Sequence, residues 1–274
     1  MSGDRSSSVI KDGTDCVFVI GAPRSGTSAL AWAIAQHPDM WTGPEMDFPY
    51  YFCRNRDGQQ TWEVAAGRED GWLAKHEVNR EEFMAAIGLG LDRLILSRSG
   101  GLRWIDSTPA NTLVASELAQ CFPNAKFIHI IRDGRAVVNS LIRSGFDIAA
   151  AKNFKTACRT WTEFVQAGRK ATRSMPDRVM EIRQEAMRDE PDRVMDAVQR
   201  FLNLEVVADP AAFLRSGHIN SSYGNRKPED IRTPKPAVDM PSEPWQSWER
   251  SEQVLFSKIA RPVMREVGYD LPVT

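Results

Sequence analysis

The run Val17-Phe18-Val19-Ile20-Gly21-Ala22-Pro23-Arg24-Ser25-Gly26-Thr27-Ser28 constrains the fold of this chain more than any other. An apolar, largely β-branched stretch enters a glycine-bearing turn, and a helix-forming run, Ala29-Leu30-Ala31-Trp32-Ala33-Ile34-Ala35, leaves it. A continuous apolar strand belongs in a parallel sheet buried on both faces. Strand, glycine turn and helix N-terminus in that order aim backbone N–H groups at an anion. A nucleoside-triphosphate loop reads G-x-x-x-x-G-K-[ST], with its lysine on the β- and γ-phosphates. Gly21 and Gly26 keep that spacing, but Thr27 stands where the lysine belongs, and the cation has moved to Arg24. The loop suits an anion other than a Mg-bound triphosphate.

The rest of the chain alternates in the same way. Strand patterns at 16–20, 102–105, 126–131 and 178–182 are separated by helical patterns at 26–36, 62–75, 80–96, 109–122, 134–143, 151–174 and 191–202, with a last helix at 251–267. This order predicts a three-layer α/β fold, a phosphate-loop-containing parallel sheet flanked by helices. Residues 1–14 are polar and Gly/Ser-rich and read as a flexible tail; 15–274 read as one domain, a length that buries a substantial core. Residues 41–52 are aromatic and carry Gly and Pro, the signature of a long loop over a site. Residues 216–244 are polar, Pro-rich and too long for a simple connector.

With 35 basic and 36 acidic residues the formal net charge is −1, so overall charge supports neither a nucleic-acid partner nor a membrane surface. Any anion site must come from local placement of cations. Cys16, Cys53, Cys121 and Cys158 are scattered without zinc-site or disulfide spacing. They imply a reduced, cytoplasmic setting and no metal. The N-terminal 15 residues hold no secretory apolar region, and no 18-residue apolar run implies membrane insertion.

In open α/β sheets ligands bind at the C-terminal ends of the strands. Polar residues gather at two more such ends. In Phe127-Ile128-His129-Ile130-Ile131-Arg132-Asp133-Gly134, Arg132 sits at the strand end, and Ser140 follows about two helical turns later. An Arg fork and a Ser hydroxyl are phosphate donors; the alternative is an Arg–Asp surface pair followed by an ordinary helical Ser. In Trp104-Ile105-Asp106-Ser107-Thr108-Pro109-Ala110-Asn111, Asp106 either serves an acceptor or belongs to a helix start at Thr108-Pro109, and both readings stand. His129, mid-strand among apolar residues, reads as a packed core histidine, and His37, before Pro38, as a helix-end cap.

Gly-Ala-Pro-Arg-Ser-Gly-Thr-Ser, then His37-Pro38, Glu45, Trp-x-Asp-x-Thr-Pro, and Phe-Pro-x-Ala-Lys-Phe-Ile-His-x-x-Arg-Asp with a later Ser: in this order the chain resembles the sulfotransferases that use 3′-phosphoadenosine 5′-phosphosulfate. Within them it is similar to the branch shared by bacterial members and the heparan-type and tyrosylprotein-type enzymes. The resemblance runs over about 16–270, more weakly in the stretch that ends Val-Gly-Tyr-Asp-Leu-Pro. It implies that Pro23, Arg24, Ser25, Gly26, Thr27 and Ser28 hold the 5′-phosphosulfate, with Arg24 on the bridging oxygen. It further implies that Arg132 and Ser140 hold the 3′-phosphate and that Glu45 is the general base, with Arg226 and Lys227 as added cations from the 216–244 loop. Ser107 departs from the family, which often carries Lys there. Glu181 to Ala186 resembles a Tyr-Glu-Asp segment, with Gln184 and Ala186 replacing its ends, and reads as structural.

Asp47 and Asp106 are rival bases to Glu45, and Asp47, Phe48 and Asp106 are assigned to the acceptor pocket. Trp41, Phe48, Tyr50, Tyr51 and Phe52 are either an apolar pocket wall or core aromatics. If they form a wall, the acceptor is a small hydroxylated metabolite, lipid or secondary metabolite, taken without a metal. Two other classes remain: a P-loop kinase or NTPase, which Thr27 opposes, and a non-catalytic nucleotide-binding protein on the same fold.

Overall fold

The computed structural model describes residues 15–216 and 244–270. The expected tail at 1–14, the body of the 216–244 loop and its Arg226 and Lys227 lie outside the described residues. Five strands, β1 (Val17–Ile20), β2 (Met40–Thr42), β3 (Arg103–Asp106), β4 (Lys126–Ile131) and β5 (Val179–Arg183), pair in parallel in the order β2-β3-β1-β4-β5. The helices are α1 (Thr27–Ile34), α2 (Asp47–Asn55), α3 (Asp57–Ala66), α4 (Trp72–Lys75), α5 (Arg80–Ser99), α6 (Ala115–Cys121), α7 (Gly134–Ile142), α8 (Ala149–Lys152), α9 (Phe154–Ser174), α10 (Gln184–Asp189), α11 (Pro191–Phe201), α12 (Asp209–Arg215) and α13 (Arg250–Glu266); 3-10 turns cover Pro109–Val114 and Pro244–Ser247.

Why β1 is apolar at every position follows from its place at the centre of the sheet. Val17 and Val19 pack on one face with Leu30 and Ile34 of α1 and Val194 and Val198 of α11. Phe18 and Ile20 point to the other face, among Trp104, Leu118, Phe122 and Phe127. Phe18 stacks on Phe127 with ring centroids 5.3 Å apart and meets the Trp104 ring edge-on at 5.5 Å. A third cluster around Trp161 and Phe256 joins α7, α9 and α13 beside β4. Burying an aromatic or large aliphatic side chain stabilises the fold by roughly 1.5–3 kcal/mol each.

The chain leaves β1 for the edge strand β2, returns as β3 beside β1, and then crosses to β4 on the other side. The direction of winding reverses at β1, and the crevice at its C-terminal end is where an open α/β sheet takes ligands.

Several expected boundaries move. The loop expected at 41–52 takes in the end of β2 and the start of α2. Pro49 sits in the first turn of α2, where a missing N–H costs nothing, so it does not break the helix. The helix expected at 62–75 is interrupted around Gly67 and Gly71. That expected at 151–174 splits at Asn153, whose side chain caps α9 by accepting from the Thr156 N–H at 3.0 Å.

Candidate active site

The β1–α1 turn is held open by Gly26, whose φ of +98° a side chain would strain. Gly26 is also the residue before α1, and no side chain caps that helix. Its N-terminal amides and partial positive charge therefore face the crevice without a protein anion. Ser25, Thr27 and Ser28 are buried, and the Ser25 Oγ has no hydrogen-bond partner. An orphaned buried hydroxyl costs about 1–3 kcal/mol, a cost that a ligand oxygen removes. Below the loop, the Gly21 N–H donates to Thr112 Oγ1 at 2.8 Å, and the Thr112 hydroxyl donates to the Pro109 carbonyl at 2.6 Å. This ties the loop to the 3-10 turn after β3. Thr112 carries no local sequence signal for that role.

Arg24 is the centre of the arrangement. Its backbone lies in the left-handed region at φ +72°, which costs a residue with a Cβ about 1–2 kcal/mol. Its carbonyl accepts from Arg132 Nη1 at 3.0 Å, and its own Nε donates to Ser140 Oγ at 3.1 Å. Its guanidinium lies over the Phe146 ring, 5.1 Å from the centroid. Arg24, Arg132 and Ser140, up to 116 positions apart in sequence, are thus in direct contact. Burial lowers the pKa of Arg132, and the nearby Glu185 carboxylate pulls it back up. A guanidinium remains charged at neutral pH, and one stripped of water interacts strongly with an anion.

Asp133 pairs with Arg135 rather than with Arg132. It accepts from the Arg135 N–H at 2.8 Å as the cap of α7 and from Arg135 Nη2 at 2.6 Å. Arg135 in turn lies 4.3 Å from the centroid of the Trp245 ring. Arg132 is left turned toward the loop.

On the β2–β3 side, Asp106 is 1% exposed and accepts four hydrogen bonds, from Thr108 N–H at 3.0 Å, Thr108 Oγ1 at 2.7 Å, Asn111 Nδ2 at 2.7 Å and Met46 N–H at 3.3 Å. Burial pushes its carboxyl above the ordinary value, with the hydrogen bonds acting against the shift. These donors enclose Asp106 and make it the anchor of the backbone beside Glu45. Thr108 itself supplies no capping bond to the turn that follows.

Glu45 is half-buried, whereas Asp47 is exposed in the first turn of α2. The aromatic run divides. Trp41, Tyr50 and Phe52 pack against the core, while Phe48 and Tyr51 are 41% and 54% exposed. His129 is fully buried, with Nδ1 3.3 Å from Glu181 Oε2. His37 accepts from the Asp39 N–H at 3.1 Å through Nδ1 and reaches the Glu205 carbonyl at 3.1 Å through Nε2, fixing the turn after α1. Among the described residues no cluster of His, Cys, Asp and Glu could hold a metal ion, and no helix is long and apolar enough to cross a membrane.

Known proteins are similar to this chain in sequence and in fold. A putative protein-tyrosine sulfotransferase of Caenorhabditis briggsae is 32% identical over 136 residues, 48% of this chain and 45% of that one. Protein-tyrosine sulfotransferase 1 of Danio rerio is 28% identical over 194 residues, 69% of this chain and 53% of that one. The chain spans about half the length of these curated relatives. The sulfotransferase domain from the Synechococcus PCC 7002 olefin synthase shares the fold, with a TM-score of 0.63 at 20% identity over 95% of this chain and 98% of that one. The model of the sulfotransferase family matches residues 16–209, a stretch that contains the five strands of the described residues, the β1–α1 loop, Glu45, Arg132 and Ser140, and the chain belongs to that family.

Proposed function

We propose that this protein moves the sulfuryl group of 3′-phosphoadenosine 5′-phosphosulfate to a hydroxyl of a small, lipophilic or secondary-metabolite acceptor. The observation that carries the donor half is the convergence of Arg24, Arg132 and Ser140 on an uncapped helix N-terminus with an orphaned, buried Ser25 hydroxyl. Two guanidinium groups and a hydroxyl gathered beside that helix N-terminus fit a nucleotide that carries a 3′-phosphate as well as its 5′-phosphosulfate. Pro23 to Ser28 would take the 5′-phosphosulfate, and Arg132 and Ser140 the 3′-phosphate. Arg226 and Lys227 would add cations.

The reaction needs positioning and charge stabilisation more than covalent help from the protein. The acceptor oxygen bonds to sulfur as the bond from sulfur to the bridging oxygen breaks, and adenosine 3′,5′-bisphosphate leaves. Arg24 and the amides of the loop meet the charge that grows on the bridging oxygen. One preorganised donor of this kind is worth about 2.7–4 kcal/mol of barrier. Glu45 takes the acceptor proton, with the backbone next to it held by Asp106. Asp47 is the less favoured base because it is exposed, and Asp106 because its oxygens are already engaged. The outward rings of Phe48 and Tyr51 support an apolar acceptor. The similarity to protein-tyrosine sulfotransferases favours a second reading, in which the acceptor hydroxyl is a tyrosyl phenol on a peptide.

The test is transfer from labelled donor to a panel of hydroxylated lipids, phenols and tyrosyl peptides, with products identified by mass. Transfer to small alcohols or phenols supports the first acceptor class, and transfer to peptides alone replaces it with the second. Thermal stabilisation by ATP·Mg but not by adenosine 3′,5′-bisphosphate would overturn the donor assignment. Tight bisphosphate binding with no transfer to any acceptor would turn the reading into a nucleotide-binding module.

A further inference from the structure

The last helix ends in a device that reaches back to the sheet. Gly268 has φ +71°, its N–H donates to the Arg265 carbonyl at 3.0 Å, and the Tyr269 N–H donates to the Met264 carbonyl at 2.8 Å. That pair of bonds is a Schellman cap, which reverses the chain at the end of α13. The reversal places Tyr269 at the C-terminal end of β5. There Arg183 covers its ring at 4.5 Å and donates through Nη2 to the Val267 carbonyl. The Tyr269 hydroxyl donates to Glu185 Oε2 at 2.7 Å. The other Glu185 oxygen, Oε1, accepts from the Asp133 N–H at 3.0 Å.

We propose that Tyr269 and Glu185 form a positioning relay that sets the β4 end, and through it Arg132, for a 3′-phosphorylated nucleotide. This deepens the proposed function and rests on its assignment of Arg132 to the 3′-phosphate. Three features converge on this short piece of backbone. Glu185 fixes the N–H of Asp133, the residue directly after Arg132. Arg135 fixes the Asp133 carboxylate from the other side. The Glu185 charge also lies close enough to Arg132 to favour its charged form. Tyr269 supplies a donor to Glu185 without adding a further cation near the phosphate seat. Burial and the adjacent carboxylate hold its hydroxyl well above the ordinary range, so it stays protonated and donating. The segment of Glu181 to Ala186, read from sequence as structural, thereby reaches the site.

Tyr269→Phe deletes one oxygen and keeps the ring under Arg183. The experiment titrates wild type and Tyr269→Phe with adenosine 3′,5′-bisphosphate and with adenosine 5′-monophosphate, alongside thermal unfolding of each protein. The expected result is about a tenfold weaker bisphosphate affinity, about 1.4 kcal/mol, with monophosphate affinity unchanged. Glu185→Ala should give a larger loss of the same selectivity, and Glu185→Gln, which keeps an acceptor for the Asp133 N–H, should recover most of it. Equal weakening of both nucleotides, or no change for either in a folded variant, overturns the relay. If wild type itself fails to prefer the bisphosphate, the assignment of Arg132 falls first, and the functional reading with it.

Discussion

At the C-terminal ends of β1 and β4 the polar side chains are tied to one another. Arg24 meets Ser140 and Phe146, Arg132 meets the Arg24 carbonyl, and Asp133 is held by Arg135 and Glu185. At the ends of β2 and β3 the ties run inward instead. Asp106 binds Thr108, Asn111 and the Met46 backbone, and the helix that follows Glu45 turns Phe48 and Tyr51 outward. The first region, the proposed donor seat, is tied together by its own side chains. The second fixes only the backbone beside a carboxylate and leaves apolar surface that can be varied at little cost to stability. On the proposed function this division has a use: preorganisation on the side given to the donor, and a fixed backbone with a replaceable wall on the side given to the acceptor.

The sharpest way to break the comparison is at Glu45. Glu45→Gln should lower kcat about 10²–10⁴-fold and flatten the acid limb of the rate–pH profile, with bisphosphate affinity unchanged. If Asp47→Asn produces that loss and Glu45→Gln does not, the base is misassigned. Arg24→Ala comes next: kcat should fall about 10²–10³-fold with the melting temperature held. A loss confined to KM would mean that Arg24 only binds.

Asp106→Asn tests the inward tie. Its amide cannot accept from all four donors, and the expected cost is about 1–3 kcal/mol of stability, read by denaturant unfolding. The pH dependence has a definite sign. Burial raises the folded pKa of Asp106 above 3.8, so the folded state binds this proton more tightly than the unfolded chain. The wild-type contribution from Asp106 therefore grows as pH falls through the folded value and levels off below the unfolded one. The difference between wild type and Asp106→Asn should follow that curve, and an opposite slope would remove the buried-carboxylate account. The smallest effect is expected at Phe48→Ala and Tyr51→Ala. Losing exposed rings should raise acceptor KM by about three- to tenfold, as about 1 kcal/mol of apolar contact implies, without touching nucleotide binding. A matching loss of bisphosphate affinity would erase the distinction between the two halves.

Much of the proposed donor half is marked in the chain because its signals are local. β1 and β4 are continuous apolar runs, Arg132 follows β4 directly, and the glycines of the β1–α1 turn keep a recognisable spacing. The acceptor half was harder to read. Gly43, Pro44 and Pro49 look like loop punctuation, yet Met40–Thr42 pairs with β3 and Pro49 is absorbed in a first helical turn. Thr112 and Phe146, and the proposed relay of Glu185 and Tyr269, carry no local signal because each meets a partner far along the chain: Gly21, Arg24, Asp133 and Glu185.

By itself, the sequence determined the strand–turn–helix order, the displaced cation at Arg24, and two polar strand ends that we propose serve one ligand. Hydrophobic periodicity and backbone chemistry act over a few residues, so they can be read in place. Only the tertiary structure decided that Arg24, Arg132 and Ser140 touch, that Asp106 is an anchor, and that Phe48 and Tyr51 face outward while their neighbours pack. Those outcomes depend on which strands become neighbours and which faces are buried. The burial of apolar surface across the whole sheet selects that arrangement, and no stretch of the chain carries it alone.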